Sequence, residues 1–199
     1  MNPVRTSTSR RARPLPHRQL PSEGDPTTPT VFTFGHGTAD AVEITALLTG
    51  AGVQGLVDVR TAPGSRHNPD SAREAMANWL PQAGIGYRWE PRLGGWRRGS
   101  GESPDVGLRN DSFRSYAGHM RSVDFRLAID ELLVSAADEQ VAVMCAETVW
   151  WRCHRKLIAD YLTLVRGVEV RHLMHDGKLR EHRPTAEARV DGDTLVYDG

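Results

Sequence analysis

Cys145 and Cys153 are the two cysteines of a 199-residue chain, and they fall in one run, "VMCAETVWWRCHRKL", with Glu147, His154 and Arg155. Thiols, a carboxylate, an imidazole and a guanidinium so close together point to proton transfer or nucleophilic attack beside a bound anion. A glutamate on a strand-to-helix loop acts as general base or nucleophile. The spacing predicts Cys153 in the first turn of the next helix, where the positive end of the helix dipole and Arg152, His154 and Arg155 favour a thiolate. Arg155 at that helix start is suited to two parallel hydrogen bonds to phosphate or carboxylate. The plain structural alternative stands beside each of these: Cys145 as a small apolar residue ending a buried strand, Glu147 as a loop carboxylate paired with arginine, and Arg155 as a solvated helix residue.

Further residues able to do chemistry follow other apolar runs. His36 lies between two glycines in "FGHGT", where it either bonds the backbone or joins a site with amides exposed to an anion. Asp58 and Arg60 follow "GLV", with Ser65 and Arg66 a little further on; Asp58 and Arg60 are expected as a pair, structural or clamping a ligand. Cys145, Cys153, His154 and His36 are all zinc-ligand types, but seven residues separate the cysteines, unlike a compact Cys-x2-4-Cys knuckle, so no metal and no cofactor are expected. With no Gly-x-Gly-x-x-Gly and no Gly-x4-Gly-Lys-Ser/Thr motif, hydrolysis or group transfer is favoured over redox chemistry.

The elements that position these residues can be read from periodicity. Strands are expected at 31–34, 55–59, 85–89, 141–144 and 168–173, and helices at 41–52, 70–84, 113–120, 124–137 and about 152–165. Asp70 and Ser71 are the expected caps of the second helix. A loop of about 20 residues after Trp89, rich in glycine and arginine, is long enough to suggest function. Two Asp-Gly turns near the C-terminus predict a short hairpin-like extension. The order predicts an α/β fold: one domain over 31–199, with an open, mainly parallel sheet of about five strands and helices on both faces. In such sheets ligands bind at the carboxyl ends of the strands, the rim where the residues above collect.

Residues 1–30 carry Arg5, Arg10, Arg11, Arg13 and Arg18 among several prolines, and this composition predicts a disordered basic tail. Overall, 25 basic and 25 acidic residues balance, so no global field draws the chain to nucleic acid or membrane. No apolar run approaches the ~18 residues of a membrane helix. A cytoplasmic protein with free thiols is the expectation.

The motifs "FTFGHGT", "LVDVRTAPGSRHNP", "GIGYRWEPRLGG", "FRSYAGHM" and "MCAETVWWRCHRKLIADYL", in that order, resemble a bacterial family known as domain of unknown function 488, from about Thr33 to Arg183. The resemblance implies a small α/β domain and points to His36, Asp58, Arg60, Ser65, Arg66, Cys145, Glu147, Cys153, His154 and Arg155. Thr38 stands where the family pattern has serine, and Val149-Trp150-Trp151 replaces a more polar stretch. The function expected is an enzyme acting on a nucleotide or nucleic-acid component by hydrolysis or group transfer, its partner an anionic small molecule or nucleic acid. Glu147, Cys145, Cys153 and His36 are the candidate catalytic residues, and Asp58, Arg60, Ser65, Arg66, His154 and Arg155 would bind substrate. A thiol enzyme of rhodanese-like type, suggested by "LVDVR", and a non-enzymatic nucleotide-binding module are the alternatives.

Overall fold

A computed structural model describes residues 29–64, 68–99 and 102–199. Nearly all of the expected basic tail, and Ser65 and Arg66, lie outside the described residues. Thr30, assigned to the tail by composition, opens the first strand. The elements in order are β1 (Thr30–Gly35), α1 (Ala41–Gly50), β2 (Gly55–Asp58), α2 (Arg73–Gln82), β3 (Gly86–Trp89), α3 (Asp111–Met120), α4 (Val123–Asp138), β4 (Val141–Cys145), α5 (Arg155–Leu164), β5 (Glu169–Leu173), β6 (Leu179–Glu181), β7 (Ala188–Asp191) and β8 (Thr194–Tyr197).

The first six strands form one sheet in the order β3-β2-β4-β1-β5-β6. The first five run parallel, and β6 turns back antiparallel on β5 to add a sixth strand to the expected five. Side chains alternate across each strand, so the apolar runs divide between two cores. Phe32, Phe34, Leu56, Ala142 and Met144 pack with Ile44 and Leu48 of α1 and Met76 and Leu80 of α2. Val31, Val57, Val141 and Val143 pack on the other face with Phe125, Ile129 and Leu132 of α4 and Leu157, Ile158 and Leu162 of α5.

Local capping fixes where the helices enter. Asp40 and Glu43 form a reciprocal capping box at α1. Asp70 and Ser71 do not cap α2; they sit in a short 3-10 turn, and Ala72 precedes the helix with no side-chain cap. Asp70 instead accepts from the Ala41 amide at 3.2 Å and so helps α1.

The decisive feature is where the connections part. After β1 the chain crosses one face through α1 toward β2, whereas after β4 it crosses the other face through α5 toward β5. A crevice therefore opens between the carboxyl ends of adjacent β1 and β4, the usual ligand position in open α/β sheets. Gly35 is the register partner of Cys145. The ladder runs one step past the strands, with the His36 amide bonded to the Cys145 carbonyl at 3.1 Å and the Gly37 amide to the Ala146 carbonyl at 2.9 Å.

The C-terminal extension is a β7-β8 hairpin turning at Gly192, whose φ of 62° favours glycine. It packs on α5, where the Tyr161 hydroxyl donates to the Asp193 carbonyl at 2.9 Å. No helix of the described residues is long and apolar enough to cross a membrane.

Candidate functional site

A cleft of about 260 Å³ lies at the crevice, bordered by Arg60, Thr61, Gly95, Trp96, Cys145, Glu147, Cys153 and His154 among others. Glu147, Cys145, Cys153, His154 and Arg60 are thus brought to one place, as the strand-end rule anticipates. His36 and Arg155 lie behind that lining, buried and in contact with Arg60 and the Glu147 backbone respectively.

Each position has a local cause. Cys145 ends β4, a strand buried at every position, and faces the α5 side of the sheet. A 3-10 turn at Trp150–Arg152 follows, and Cys153 closes it with its amide on the Trp150 carbonyl. Helix α5 begins only at Arg155, so neither Arg152 nor Cys153 caps it; His154 holds the cap position without a side-chain bond. The amides of Lys156 and Leu157 bond back to the Cys153 and His154 carbonyls. The expected helix start is therefore corrected: Cys153 lies before α5 instead of in its first turn, and Arg155 turns inward.

The two sulfurs and the imidazole converge. Cys153 Sγ is 3.4 Å from His154 Nδ1, and His154 Nε2 is 3.2 Å from the Val59 carbonyl. A carbonyl only accepts, so Nε2 carries a proton, and Nδ1 faces the sulfur, accepting from the Cys153 thiol or, with that proton transferred, donating to its thiolate. Tyr116 packs on the imidazole at 5.1 Å between centroids. Burial pushes the Cys145 thiol well above its ordinary value, and the neighbouring Cys153 raises it further. Burial also works against a charged Cys153, but the Cys145 thiol, the His154 ring and Arg155 outweigh it and hold Cys153 well below its ordinary value.

Arg60 is committed elsewhere. Its Nε donates to Asp58 Oδ1 at 2.8 Å and its NH2 to Asp58 Oδ2 at 2.6 Å, while the Tyr87 hydroxyl donates to Oδ2 at 2.7 Å. The expected Asp58-Arg60 pair is formed, and Arg60 also borders the cleft. The third Arg60 nitrogen, NH1, lies 3.1 Å from His36 Nε2. Arginine is donor-only, so Nε2 accepts and Nδ1–H donates to the Gly37 carbonyl at 2.9 Å.

That network makes the ring a neutral imidazole: burial first, then Arg60, lowers its pKa from 6.5 to about 4. The stability from keeping it neutral is complete above pH 6.5 and is lost as pH falls toward 4, because only the unfolded chain takes up the proton there. A loss on the order of 2 kcal/mol over that window is expected from His36, discounting for residual solvent contact of the ring. Urea unfolding at a series of pH values checks this: the slope should be shallower in His36→Asn, and equal slopes would contradict it.

Several contacts at and near the cleft were not legible in sequence. Trp96 is 82% exposed on the cleft edge, and Gly95 precedes it because a Cβ there would stand 2.5 Å from His154 Nδ1. The Gly-Gly-Trp sequence in an over-long loop was the available signal. Gly35 is required for a similar reason, since a Cβ would run into the Glu147 carbonyl. His172 near the end of β5 belongs to a buried hydrogen-bonded chain that spacing does not indicate: Thr33 Oγ1 lies 2.6 Å from His172 Nδ1, His172 Nε2 lies 3.0 Å from His182 Nδ1, and His182 Nε2 lies 2.9 Å from Asp160 Oδ1. Trp150 lies flat over His172 at 3.9 Å, so this tryptophan covers a core edge, whereas Trp151 is half exposed.

A family model described as Domain of unknown function DUF488 matches residues 40–162. The interval spans α1 through most of α5 and contains Asp58, Arg60, Cys145, Glu147, Cys153, His154 and Arg155; His36 falls just before it. No curated protein and no solved structure matches the chain.

Proposed function

The chain belongs to the DUF488 family, and from its geometry we propose that it is an enzyme carrying out hydrolysis or group transfer on a nucleotide or nucleic-acid component. The observation that carries this reading is that Glu147, Cys145, Cys153 and His154 all border one cleft at the point where the connections of β1 and β4 part. Glu147 is exposed there, free of the carboxylate-arginine pairing considered for it among the described residues, and takes the role of proton acceptor. The exposed Trp96 ring offers a flat apolar surface to a base. Arg152, which precedes the cleft residue Cys153 in sequence, carries no carboxylate partner among the described residues and is available to an anionic group.

A thermal-shift panel of nucleosides, nucleotides and short oligonucleotides tests the substrate class, because a ligand of the native state raises its Tm. Turnover of the ligand found then tests the chemistry. Glu147→Gln should lower kcat by about 10²–10⁴-fold with Tm unchanged. Full turnover by that variant would remove Glu147 from the reaction, and the absence of any shift across the panel would remove the substrate class.

The contact between Cys153 Sγ and His154 Nδ1 favours one second reading, a thiol-dependent transfer in which Cys153 is the attacking group. It predicts the opposite pattern: Glu147→Gln tolerated, Cys153→Ser inactive, and iodoacetamide labelling of Cys153 abolishing turnover.

A further inference from the structure

We infer that Cys145, Cys153 and His154 form a zinc-binding site whose fourth coordination position opens into the cleft. One ligand atom from each residue lies within 4.8 Å of the other two. Zinc takes sulfur at about 2.3 Å and imidazole nitrogen at about 2.0–2.1 Å in a tetrahedron, so ligand atoms must come within a few Å of one another before the ion arrives. The 3.4 Å between Cys153 Sγ and His154 Nδ1 is already of that size.

The surroundings suit a metal as well as the ligand atoms do. The Val59 carbonyl takes the Nε2 proton and leaves the Nδ1 lone pair toward the sulfurs, the orienting bond that metal-bound histidines usually have. Tyr116 fixes the ring plane from the side. Gly95 keeps the approach to Nδ1 clear, since any other residue would put a Cβ 2.5 Å from that nitrogen. Two sulfurs and one imidazole select zinc over magnesium or calcium, which require oxygen ligands. Two buried thiolates would be costly alone, and a divalent ion balances their charge.

All three residues also border the cleft, so the side without a protein ligand faces the space where Glu147 stands. Three protein ligands and one open position is the arrangement of catalytic rather than structural zinc. What the ion would do rests on the enzymatic reading above: a water or substrate oxygen bound there becomes more acidic, with Glu147 placed to receive its proton. The ion's binding rests on the three ligands alone. The sequence spacing misleads because the ligands come from a strand end, a 3-10 turn and a helix start instead of from a single knuckle.

The test uses the full chain, stripped by a chelator and titrated with zinc in competition with a chromophoric chelator, then with cobalt(II) followed by absorption. One equivalent of zinc per chain, a raised Tm and a cobalt spectrum with sulfur-to-metal charge transfer are expected. Cys145→Ser, Cys153→Ser and His154→Ala should each weaken zinc binding by at least about 100-fold, since loss of an outer-shell partner alone costs 10- to 100-fold. Stoichiometry far below one, no charge-transfer absorption, or a serine variant that binds as tightly as the parent overturns the site. Should a variant fail to fold, the parent's cobalt spectrum decides. Zinc bound at these residues with no ligand shift and no turnover across the panel would remove the enzymatic reading and keep the site; Glu147-dependent turnover without zinc would do the reverse.

Discussion

Asp160→Ala should lower the unfolding free energy by about 3–5 kcal/mol, the largest single stability loss expected in this chain. Asp160 lies on α5, fully buried, and its carboxylate collects four hydrogen bonds: from His182 Nε2 at 2.9 Å, the Thr185 amide at 2.9 Å, the Thr185 hydroxyl at 2.7 Å and the Tyr197 hydroxyl at 3.1 Å. All four donors lie in residues 182–197, the segment that leads into and forms the β7-β8 hairpin, so this one side chain ties that segment to the domain. Its removal leaves buried donors unpaired, which costs more than the bonds themselves contribute. The effect should travel further. The carboxylate fixes the proton on His182 Nε2, so His182 Nδ1 accepts from His172 Nε2–H and His172 Nδ1 accepts from the Thr33 hydroxyl. Trp150 rests on His172, and the same loop carries Glu147. Urea unfolding gives the stability loss, and hydrogen exchange should show protection disappearing first in residues 182–197. A loss under about 1 kcal/mol, with that protection retained, would mean that the extension is held by Leu195 and Tyr197 packing alone.

Arg155 should separate stability from function. An Arg155 that is solvated on the helix or holds an anion at its start, as expected from sequence, could be replaced by alanine with the fold intact; burial reverses that expectation. Arg155 is 1% exposed and among the largest fully buried side chains. One guanidinium nitrogen donates to the Glu147 carbonyl, Nε finds no partner, and no carboxylate pairs with the group among the described residues. Arg155→Ala therefore opens a cavity beneath the loop and should cost about 2–4 kcal/mol. Arg155→Met fills most of that space and removes an unpaired buried cation, whose desolvation is itself costly, so its stability should equal or exceed the parent's by up to about 2 kcal/mol. The same variant loses the cation beside Cys153 and the tether on the Glu147 backbone, and its turnover should fall by about 100-fold, the scale of one lost charge-directed contact in an active site. Denaturant unfolding and kcat on the two variants check this. A methionine variant as unstable as the alanine one would show that the charge is compensated in the fold, and one with parental kcat would make Arg155 a packing residue only.

The elements were largely legible because helix and strand follow from local spacing. The runs "VFTF", "GLVDV" and "VAVM" read as buried strands and are β1, β2 and β4, and the strand-end rule alone gathers Arg60, Cys145 and Glu147 at one rim. Family membership was legible too, since ordered motifs from "LVDVR" to "CHRKL" lie within residues 40–162. Element boundaries were less so. The chain around Trp150–Arg152 forms a separate 3-10 turn, which shifts the start of α5 past Cys153 and changes what Arg155 faces.

Partnerships between distant side chains were decided only by the tertiary structure. Nothing in the spacing of Thr33, Asp160, His172 and His182 indicates that they make one hydrogen-bonded chain, because β1 and β5 become neighbours only when α5 crosses the sheet. Nor does spacing reveal that Cys145, Cys153 and His154 present their ligand atoms to one point, or that Gly95, some sixty positions earlier than His154, clears the approach. Sequence carries the periodicities that build strands and helices, since those depend on neighbours a few residues apart. Whether a charged residue such as Arg155 ends in solvent or in the core depends on which surfaces the folded sheet covers, and that is determined by packing between elements.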